Sequence, residues 1–284
     1  MKALGLLRRS FEHGVHPAHH KGQTADLPIQ RVPFGKHYVM PLGQHIGVPA
    51  KPVVAAGERV TRGQLIAEPG GFVSTALHSP VTGTVKDIGN HRGVDGRFAP
   101  AIAIEADAFA TQAIDPDSAI DWQSLSLEDF IKAVQMAGIV GMGGAAFPAH
   151  VKLSVPDGVK IRHLLINGAE CEPYLTTDHR LMLERPEALL EGAEIMRQKL
   201  GAEETVIGVE MNKPDAIDML HKHIDPDQPV RVVPLKVKYP QGAEKMMIKS
   251  VFDKEVPAGQ LPRDVGVNVN NVGTIVAVAD YFLR

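Results

Sequence analysis

A regular alternation of short apolar runs and longer amphipathic stretches over residues 162–283 constrains the fold most strongly. The apolar runs predict strands, and the amphipathic stretches predict helices of about 10–15 residues. Gly201 follows the first of these helices, where a glycine commonly ends a helix. The strands are predicted at 162–166, 205–210, 230–236 and 265–269, and the helices at 186–200, 214–223, 242–252 and 272–283. This order predicts an α/β domain with a Rossmann-like, mostly parallel sheet and helices on its faces.

The chain before this region has a different pattern. Residues 36–107 consist of short β-like runs punctuated by glycine, which predicts a small all-β domain. Residues 108–126 are acidic and polar and are predicted to be a linker. Ser126 precedes an acidic first turn, so a helix is expected to begin there and to end near Gly138. The predicted division is an arm at 1–35, the β domain at 36–107, the linker at 108–126 and the α/β domain at 127–284.

Composition narrows the classes of function. A net charge of −3 gives no reason to expect nucleic acid as a partner. Cys171 is the single cysteine of the 284 residues, which excludes disulfides and a thiolate-ligated cluster within this chain. No run approaches the roughly 20 apolar residues of a membrane helix. The first ten residues, MKALGLLRRS, carry charges on both sides of a short apolar run, so no signal peptide is predicted and a cytoplasmic location is expected.

A glycine-rich loop follows the helix that ends near Gly138. The segment GIVGMGGAAFPAHVKL contains Gly141, Gly143 and Gly144 within four residues. Such loops let backbone N–H groups approach a ligand closely and favour phosphate. The loop fits the pattern G-x-G-x-x-A formally, but a helical rather than a strand-like segment precedes it. An ordinary dinucleotide site and a mere helix-to-helix connection therefore remain open as alternatives.

Polar residues follow three of the predicted strands. Glu170 and Glu172 flank Cys171 after the first strand, and only one of them is expected to face a ligand. We expect the two carboxylates to raise the pKa of Cys171 and to leave it a packing residue. After the later strands come Tyr239, Gly242 and Glu244, and then Asn270, Asn271 and Thr274. Ligands of open α/β sheets bind at the carboxyl ends of strands, and paired amides suit a planar heteroaromatic ring. These segments and the glycine loop therefore predict one pocket.

The arm contains four histidines within eight residues, at positions 13–20. A metal site and a polar loop are the two interpretations. No distant ligand set accompanies the tract, so no metal is predicted.

The whole chain resembles the C subunit of the Rnf electron-transport complex, a membrane-associated ferredoxin–NAD oxidoreductase. The segments that carry the resemblance are HGVHPAHHK, PLGQHIGVPA, GMGGAAFPAHVKL, INGAECEPYLTTDHRLMLERP, NKPDAI, KYPQGAEK and NNVGT. The β domain is similar to a biotinyl/lipoyl-type hammerhead, or barrel-sandwich hybrid. Phe72 stands where a carrier of that type has its attachment lysine, which favours a docking or scaffolding module. The second half is also similar to the FMN- and NADH-binding subunit of respiratory complex I.

The resemblance implies a role for individual residues. Gly141, Gly143, Gly144 and Lys152 are expected to hold the phosphate and ribityl chain of FMN. Seven residues are expected to line the flavin: Asn167, Glu170, Tyr239, Gly242, Asn270, Asn271 and Thr274. Phe147, Glu172 and Glu244 are expected to face the nicotinamide of NADH, with the two glutamates as the catalytic residues.

Three departures from the family pattern are visible. Ala146 stands where the family usually has glycine, and Ala169 stands where the complex I relative has a carboxylate. Full-length members of the family continue into a segment with cysteine-ligated [4Fe–4S] clusters, whereas this chain has no cysteines for one. The chain is therefore expected to be a truncated product or a fragment without its own onward electron path.

The expected function is that of an electron-transfer flavoprotein module that exchanges hydride between NAD(H) and bound FMN. The expected partners are the membrane-bound Rnf subunits and, indirectly, ferredoxin, which implies a cytoplasmic position at the inner membrane. Two alternatives stay open: a non-catalytic docking adaptor with a vestigial pocket, and an ordinary NAD-dependent enzyme that uses the glycine loop.

Overall fold

A computed structural model describes residues 9–114 and 119–284 of the chain. Residues 115–118 of the predicted linker and 1–8 of the predicted arm lie outside the described residues. The described residues form two compact units. Unit 1 contains the chain up to Ile29 and residues 155–280, and unit 2 contains residues 30–154 and 281–284.

Unit 2 is built largely from two antiparallel sheets. Its strands are β1 His37–Pro41, β2 Lys51–Pro52, β3 Arg59–Val60, β4 Leu65–Glu68, β5 Leu77–His78, β6 Gly83–Arg92 and β7 Phe98–Ala106. The sheet orders are β1-β7-β6-β3 and β2-β4-β5. Val60, Ile66, Val85, Ile102 and Ile104 are fully or almost fully buried in the core of this unit. The barrel-sandwich hybrid fold predicted from the sequence is confirmed.

Two helices follow the β strands in unit 2. Helix α1, Leu127–Met136, begins where Ser126 predicts it, because the Ser126 hydroxyl accepts a hydrogen bond from the Asp129 N–H. Helix α2, Ala149–Leu153, lies just beyond the glycine loop. A helix rather than a strand therefore precedes the loop, as the sequence indicates.

Unit 1 contains one sheet of four parallel strands. The strands are β8 His163–Gly168, β9 Glu204–Glu210, β10 Val230–Leu235 and β11 Val267–Asn271, in the order β10-β9-β8-β11. Six of the seven residues of β9 are buried, as expected of a parallel strand covered on both faces. The parallel α/β architecture predicted from the sequence is confirmed.

The helices of unit 1 agree closely with the sequence pattern. They are α3 Thr177–Glu184, α4 Pro186–Leu200, α5 Pro214–His223, α6 Glu244–Phe252 and α7 Val272–Leu283, with a short 3-10 helix at Pro262–Val265. Gly201 ends α4 with φ +62°, the left-handed conformation expected of a glycine cap. Helix α6 starts at Glu244, two residues later than predicted, because residues 239–243 form a turn.

The sequence pattern misses α3 and shifts two strands. The eight residues of α3 carry little apolar periodicity, since only His179 and Met182 are buried. The pattern ends strands β8 and β11 about two residues too early, because Asn167, Asn270 and Asn271 belong to the ladder. A search for apolar runs does not detect polar residues at the end of a strand.

Candidate functional site

Asn167 and Asn271 occupy equivalent positions at the carboxyl ends of neighbouring parallel strands. They are register partners in the pairing of β8 with β11. Parallel register partners project to the same side of a sheet, so this edge presents two amides side by side. The strand-end cluster predicted from the sequence thus has a definite geometric basis within unit 1.

The turn at Gly242 is fastened to the end of β8. The Asn167 Nδ2 group donates to the Gly242 carbonyl at 2.7 Å, and the Asn167 Oδ1 atom accepts from the Ala169 N–H at 3.1 Å. The Gly242 N–H in turn donates to the Cys171 sulfur at 3.3 Å. An added Cβ at Gly242 would lie 3.4 Å from both Asn167 and Cys171, so the glycine fits a close approach of the two loops.

Glu170 and Glu172 occupy opposite environments, although residues i and i+2 of an extended strand would share a face. Glu170 is only 6% exposed, whereas Glu172 is exposed. Glu170 has a φ of +48°, in the left-handed region that a residue with a side chain rarely adopts. Such strained backbone is maintained by surrounding contacts and is concentrated at functional sites. The structure therefore turns one carboxylate inward and leaves the other at the surface.

A chain of hydrogen bonds joins Glu170 to Asn271 through helix α3. The Asp178 N–H donates to Glu170 Oε1 at 2.8 Å, and the Asn271 Nδ2 group donates to Asp178 Oδ2 at 2.7 Å. Burial, together with the negative charge of Glu170, raises the pKa of Asp178 to about 7, although Asn271 and Lys213 act to lower it. Two residues predicted to line the flavin are thus linked by a carboxyl group that titrates near neutral pH.

Cys171 is a packing residue rather than a nucleophile. Burial raises the pKa of its thiol to about 11, with smaller contributions from the charges of Glu172 and Glu210. The direction of this shift agrees with the sequence-based prediction. The predicted cause is the smaller one: the charge of Glu172 raises the pKa as expected, but burial raises it more.

A buried ion pair lies beneath the same strand ends. Lys213 is 1% exposed, and its Nζ donates to the Ala169 carbonyl at 2.6 Å and lies 3.7 Å from Glu210. Burial lowers the pKa of Lys213 and raises that of Glu210, while the attraction between the two charges opposes both shifts. Because the buried Lys213 ammonium donates a hydrogen bond to the Ala169 carbonyl, it stabilises the turn of the chain just before Glu170.

The remaining ligand residues predicted in unit 1 differ in exposure. Asn270 is buried, and its Nδ2 group donates to Asn268 at 2.6 Å. Thr274 is fully buried in α7, and Glu244 is the first residue of α6. Tyr239 is 41% exposed and precedes a cis proline bond. Only part of the predicted set therefore faces solvent in unit 1.

The glycine loop in unit 2 is a turn closed at its base. Val140 and Pro148 form an antiparallel bridge, and the Gly141 N–H donates to the Phe147 carbonyl at 2.8 Å. Gly144, at the exposed tip, has φ +114°, and no atom of the described residues lies within 4 Å of the position that its Cβ would take. The open side of the loop is thus accessible to a ligand.

Ala146 adopts a conformation that suits glycine. Its φ is +48°, and its carbonyl accepts a hydrogen bond from the Ile46 N–H at 3.2 Å. Alanine in place of the usual glycine therefore strains the backbone at this position, whereas the sequence alone suggests crowding of the loop. Of the other loop residues, Gly143 is exposed, Phe147 is partly buried, and Lys152 lies partly buried on α2.

Three charged residues of unit 1 are not evident from the sequence pattern: Lys21, Asp178 and Lys213. Asp178 and Lys213 stand in the segments TTDHR and NKPDAI, which carry the family resemblance, so a signal is present in the sequence. Hydrogen bonds join Asp178 to Glu170, Lys213 to Ala169 and Lys21 to Leu175, over 8, 44 and 154 positions of the chain, and no local pattern predicts such contacts.

Two features were looked for in residues 9–114 and 119–284: a cluster of metal-binding side chains and a helix able to span a membrane. No group of three or more His, Cys, Asp or Glu side chains is placed to hold a metal ion there. None of the helices in these ranges has the length and apolar character needed to cross a bilayer.

Comparison with known proteins shows similarity along nearly the whole chain. Two proteins are 43% and 41% identical to it, over 96% and 98% of its length. They are the C subunits of two complexes, the proton-translocating ferredoxin:NAD(+) oxidoreductase of Clostridium ljungdahlii and the Na(+)-translocating ferredoxin:NAD(+) oxidoreductase of Acetobacterium woodii. The C subunit of the ion-translocating oxidoreductase complex of Pseudomonas aeruginosa is 43% identical over 95% of the chain. The chain spans 59%, 62% and 35% of the length of these three relatives.

Two family models match successive parts of the chain. The model of the RnfC barrel sandwich hybrid domain matches residues 9–109, and that of the Nuo51 FMN-binding domain matches residues 134–280. The second match covers more than half of the chain and includes both the glycine loop and the strand ends of the parallel sheet. The chain is therefore a homologue of Rnf-complex C subunits and belongs to the family of the Nuo51 FMN-binding domain, which follows a region that matches the RnfC barrel sandwich hybrid domain.

Proposed function

We propose that this chain is the FMN-binding, NADH-reactive module of an Rnf-type ferredoxin–NAD oxidoreductase complex. The observation that carries the proposal is the pair of amides on register partners Asn167 and Asn271, within a segment of the FMN-binding family. Amides at the carboxyl ends of parallel strands suit the polar edge of a planar ring. The named activity of the relatives, ferredoxin:NAD oxidoreduction, requires a carrier of this kind.

The residues present fit FMN. Glu170 Oε2 is buried and has no hydrogen-bond partner among the described residues, so it is available as an acceptor. Gly144 leaves open space on the exposed side of its loop. A phosphate needs backbone N–H groups and a cation, and the loop is followed by Lys152 on α2.

Each group of residues has a proposed task. Gly141, Gly143, Gly144 and Lys152 hold the phosphate and ribityl chain, because glycine allows close backbone approach and lysine supplies charge. The flavin is lined by Asn167, Glu170, Tyr239, Gly242, Asn270, Asn271 and Thr274. Asn270 and Thr274 are buried, so their part is to shape the sheet edge.

The nicotinamide is assigned to three other residues. Phe147 offers an aromatic ring, and Glu172 and Glu244 offer carboxylates that orient the carboxamide of the nicotinamide. When bound, FMN supplies the capacity to accept a hydride from NADH. The protein contributes binding and orientation, and no general base is needed for this transfer.

The wider setting is also part of the proposal. The other Rnf subunits are the partners of this chain, and ferredoxin is reached through them. This arrangement places the chain at the cytoplasmic side of the inner membrane. The division into an arm at 1–35, a hammerhead at 36–107, a linker at 108–126 and the cofactor domain at 127–284 is proposed with it.

The proposal is tested by titrating the apoprotein with FMN and following flavin fluorescence. Saturable quenching is expected. Lys152→Ala is expected to weaken binding by roughly 1.5–3 kcal/mol, the scale of a hydrogen bond to a charged group. Lys51→Ala, at an exposed position of β2, serves as the control and should leave the affinity unchanged. A folded wild-type protein that fails to bind FMN would refute the proposal and leave the docking adaptor and the ordinary NAD-dependent enzyme as the alternatives.

A further inference from the structure

The function proposed above assigns no role to the arm that carries the histidines at positions 13–20. In the structure its residues contact the segments of unit 1 that carry the proposed ligand residues. The His19 carbonyl accepts from the Tyr174 N–H at 2.9 Å, and the His20 ring stacks on the Tyr174 ring with centroids 5.0 Å apart. His16 Nδ1 lies 3.1 Å from the Val237 carbonyl. These contacts are structural rather than metal-binding in kind.

The first segment that the arm contacts is the loop 170–175. The Lys21 ammonium donates to the Glu170 carbonyl at 2.9 Å and also to the Leu175 carbonyl. One cation therefore joins the two ends of this loop, which carries Glu172 between them. A lysine suits this task because its three N–H donors form several hydrogen bonds from one point.

Lys21 also acts on the Glu170 side chain. Its Nζ lies 3.7 Å from Glu170 Oε2, and the two side chains are 12% and 3% exposed. That carboxylate oxygen has no hydrogen-bond partner among the described residues. A buried carboxylate near a single arm cation is held by attraction that water screens little. Removing the ammonium would leave the two carbonyls without this donor and the carboxylate oxygen without this nearby cation, at a residue with a strained φ of +48°.

The second segment is the turn that leads to Gly242. Val15 and Tyr239 exchange two backbone hydrogen bonds, each of 2.8 Å. The Lys238 ammonium donates to the His13 carbonyl at 3.0 Å and to the Phe11 carbonyl, and lies 3.7 Å from the centre of the Phe11 ring. The arm thus contacts both the loop that carries Glu170 and Glu172 and the turn that carries Tyr239.

We propose that residues 11–29 form a positioning strap of the cofactor site, and that Lys21 is the residue through which the strap sets the conformation of the Glu170 loop. This inference rests on the proposed function. Lys21 acts through Glu170 and the loop carbonyls and does not itself touch the cofactor. When residues 11–29 are bound to unit 1, the Glu170 loop is held in one conformation. The arm therefore influences the affinity for the cofactor.

The first experiment is hydrogen exchange, measured by mass spectrometry, on the apoprotein of 284 residues. Lys21→Met removes the ammonium and keeps the aliphatic stem. Exchange of the peptide that contains residues 170–176 is expected to accelerate at least 10-fold, while peptides of β9 and α4 keep the wild-type rate. Lys21→Arg, which keeps the charge and the donors, is expected to restore at least half of the protection. Lys51→Met is the control for loss of an exposed lysine.

The second experiment measures FMN affinity of the same variants. Lys21→Met is expected to raise the Kd at least 10-fold and Lys21→Arg less than 3-fold. If Lys21→Met does not fold, His20→Asn tests the strap instead, since His20 is exposed and asparagine tolerates its φ of +49°. Its expected effect is a 3-fold or greater acceleration of exchange at residues 170–176.

The outcomes separate the two proposals. A wild-type apoprotein that binds no FMN refutes the proposed function, and the exchange rates still show whether Lys21 orders the loop. A wild-type protein that binds FMN, with Lys21→Met unchanged in exchange at 170–176 and in affinity, overturns the strap. Uniformly faster exchange in every peptide, without rescue by Lys21→Arg, likewise overturns it, because the lysine would then serve only global stability.

Discussion

Two residues of this protein have strained backbone conformations that contacts with neighbouring residues stabilise. Glu170 and Ala146 both have positive φ, and both stand in segments assigned to the cofactor. Residues with side chains rarely adopt this region, and the cost of about 1–3 kcal/mol is offset elsewhere in the fold. For Glu170 the compensation is visible in the hydrogen bonds of Lys21 and Asp178.

Gly144 provides a test of the loop that separates backbone strain from loss of binding. Gly144→Val is expected to abolish FMN binding, because the side chain would occupy the open face at the tip. Gly57→Val is the matched control, since Gly57 also has positive φ and open space around its Cβ position. Both variants should lose roughly 1–3 kcal/mol in the free energy of unfolding. Flavin-fluorescence titration and urea unfolding check this, and equal FMN affinity in the two variants would contradict it.

Asp178 gives the protein a predicted pH dependence of stability. Its folded-state pKa of about 7 lies above the ordinary value of 3.8. The carboxyl therefore stabilises the folded state fully below about pH 4, and this contribution is lost as the pH rises through 7. The charges that face it are those of Glu170, Glu172 and Lys213. Asp178→Asn does not titrate and should escape this loss.

Urea unfolding at pH 5 and pH 8 measures the effect. Relative to wild type, Asp178→Asn is expected to gain roughly 2–3 kcal/mol in the free energy of unfolding between the two pH values, at about 1.4 kcal/mol per pKa unit. Asp218→Asn, an exposed position on α5, is the control for loss of a negative charge. The same difference between Asp178→Asn and wild type at both pH values would rule out the raised pKa.

At the level of elements, local signals decide where helices begin and end, and packing decides how closely they approach. Gly192 in α4 illustrates the second point, because an added Cβ would lie 2.2 Å from the Ile275 carbonyl of α7. Gly208 in β9 similarly leaves room for the Met247 side chain of α6. These glycines mark close packing of helix on helix and helix on sheet.

Ser126 is predicted to set the stability of helix α1. Its hydroxyl accepts from the Asp129 N–H at 3.0 Å and donates to the Asp129 carboxylate at 2.6 Å. Ser126→Ala should cost about 1 kcal/mol in the free energy of unfolding. Ser124→Ala, in the preceding turn, should stay within about 0.5 kcal/mol of wild type. Thermal or urea unfolding compares them, and an unchanged Ser126→Ala would show that the cap does not contribute.

For the molecule as a whole, the single cysteine limits what the chain does alone. A [4Fe–4S] cluster is normally held by four thiolates, and Cys171 supplies one buried thiol of raised pKa. This chain therefore cannot by itself supply the four thiolates of such a cluster.

Electron flow in the FMN-loaded chain follows from this limit. NADH is expected to bleach the flavin absorbance, while steady-state turnover with ferredoxin stays at background. Glu172→Gln should slow the bleaching roughly 10-fold, equivalent to about 1.4 kcal/mol of transition-state stabilisation, without loss of FMN binding. Glu203→Gln, at an exposed position, is the control. Stopped-flow absorbance gives the rates. Unchanged bleaching would remove Glu172 from the site, and ferredoxin turnover by this chain alone would contradict the argument from its cysteine content.

The two folds and the segments that bear the proposed site follow from the sequence alone. Strand and helix order, the cap at Ser126, the end of α4 at Gly201 and the glycine loop are local properties, because each depends on side chains within a few positions. The resemblance to known proteins added the assignment of residues to FMN and NADH, which remains a proposal for this chain.

Which polar groups meet is settled only when the chain has folded in three dimensions. Asp178 reaches both Glu170 and Asn271, Lys213 holds the Ala169 carbonyl, and Lys21 joins the ends of the Glu170 loop. The separation along the chain is 8 positions for Asp178 and Glu170 and 149 positions for Lys21 and Glu170. Burial then sets the pKa of Asp178 and of Cys171 more strongly than the residues beside them in sequence. Desolvation depends on everything packed around a group, so no local stretch of sequence determines it.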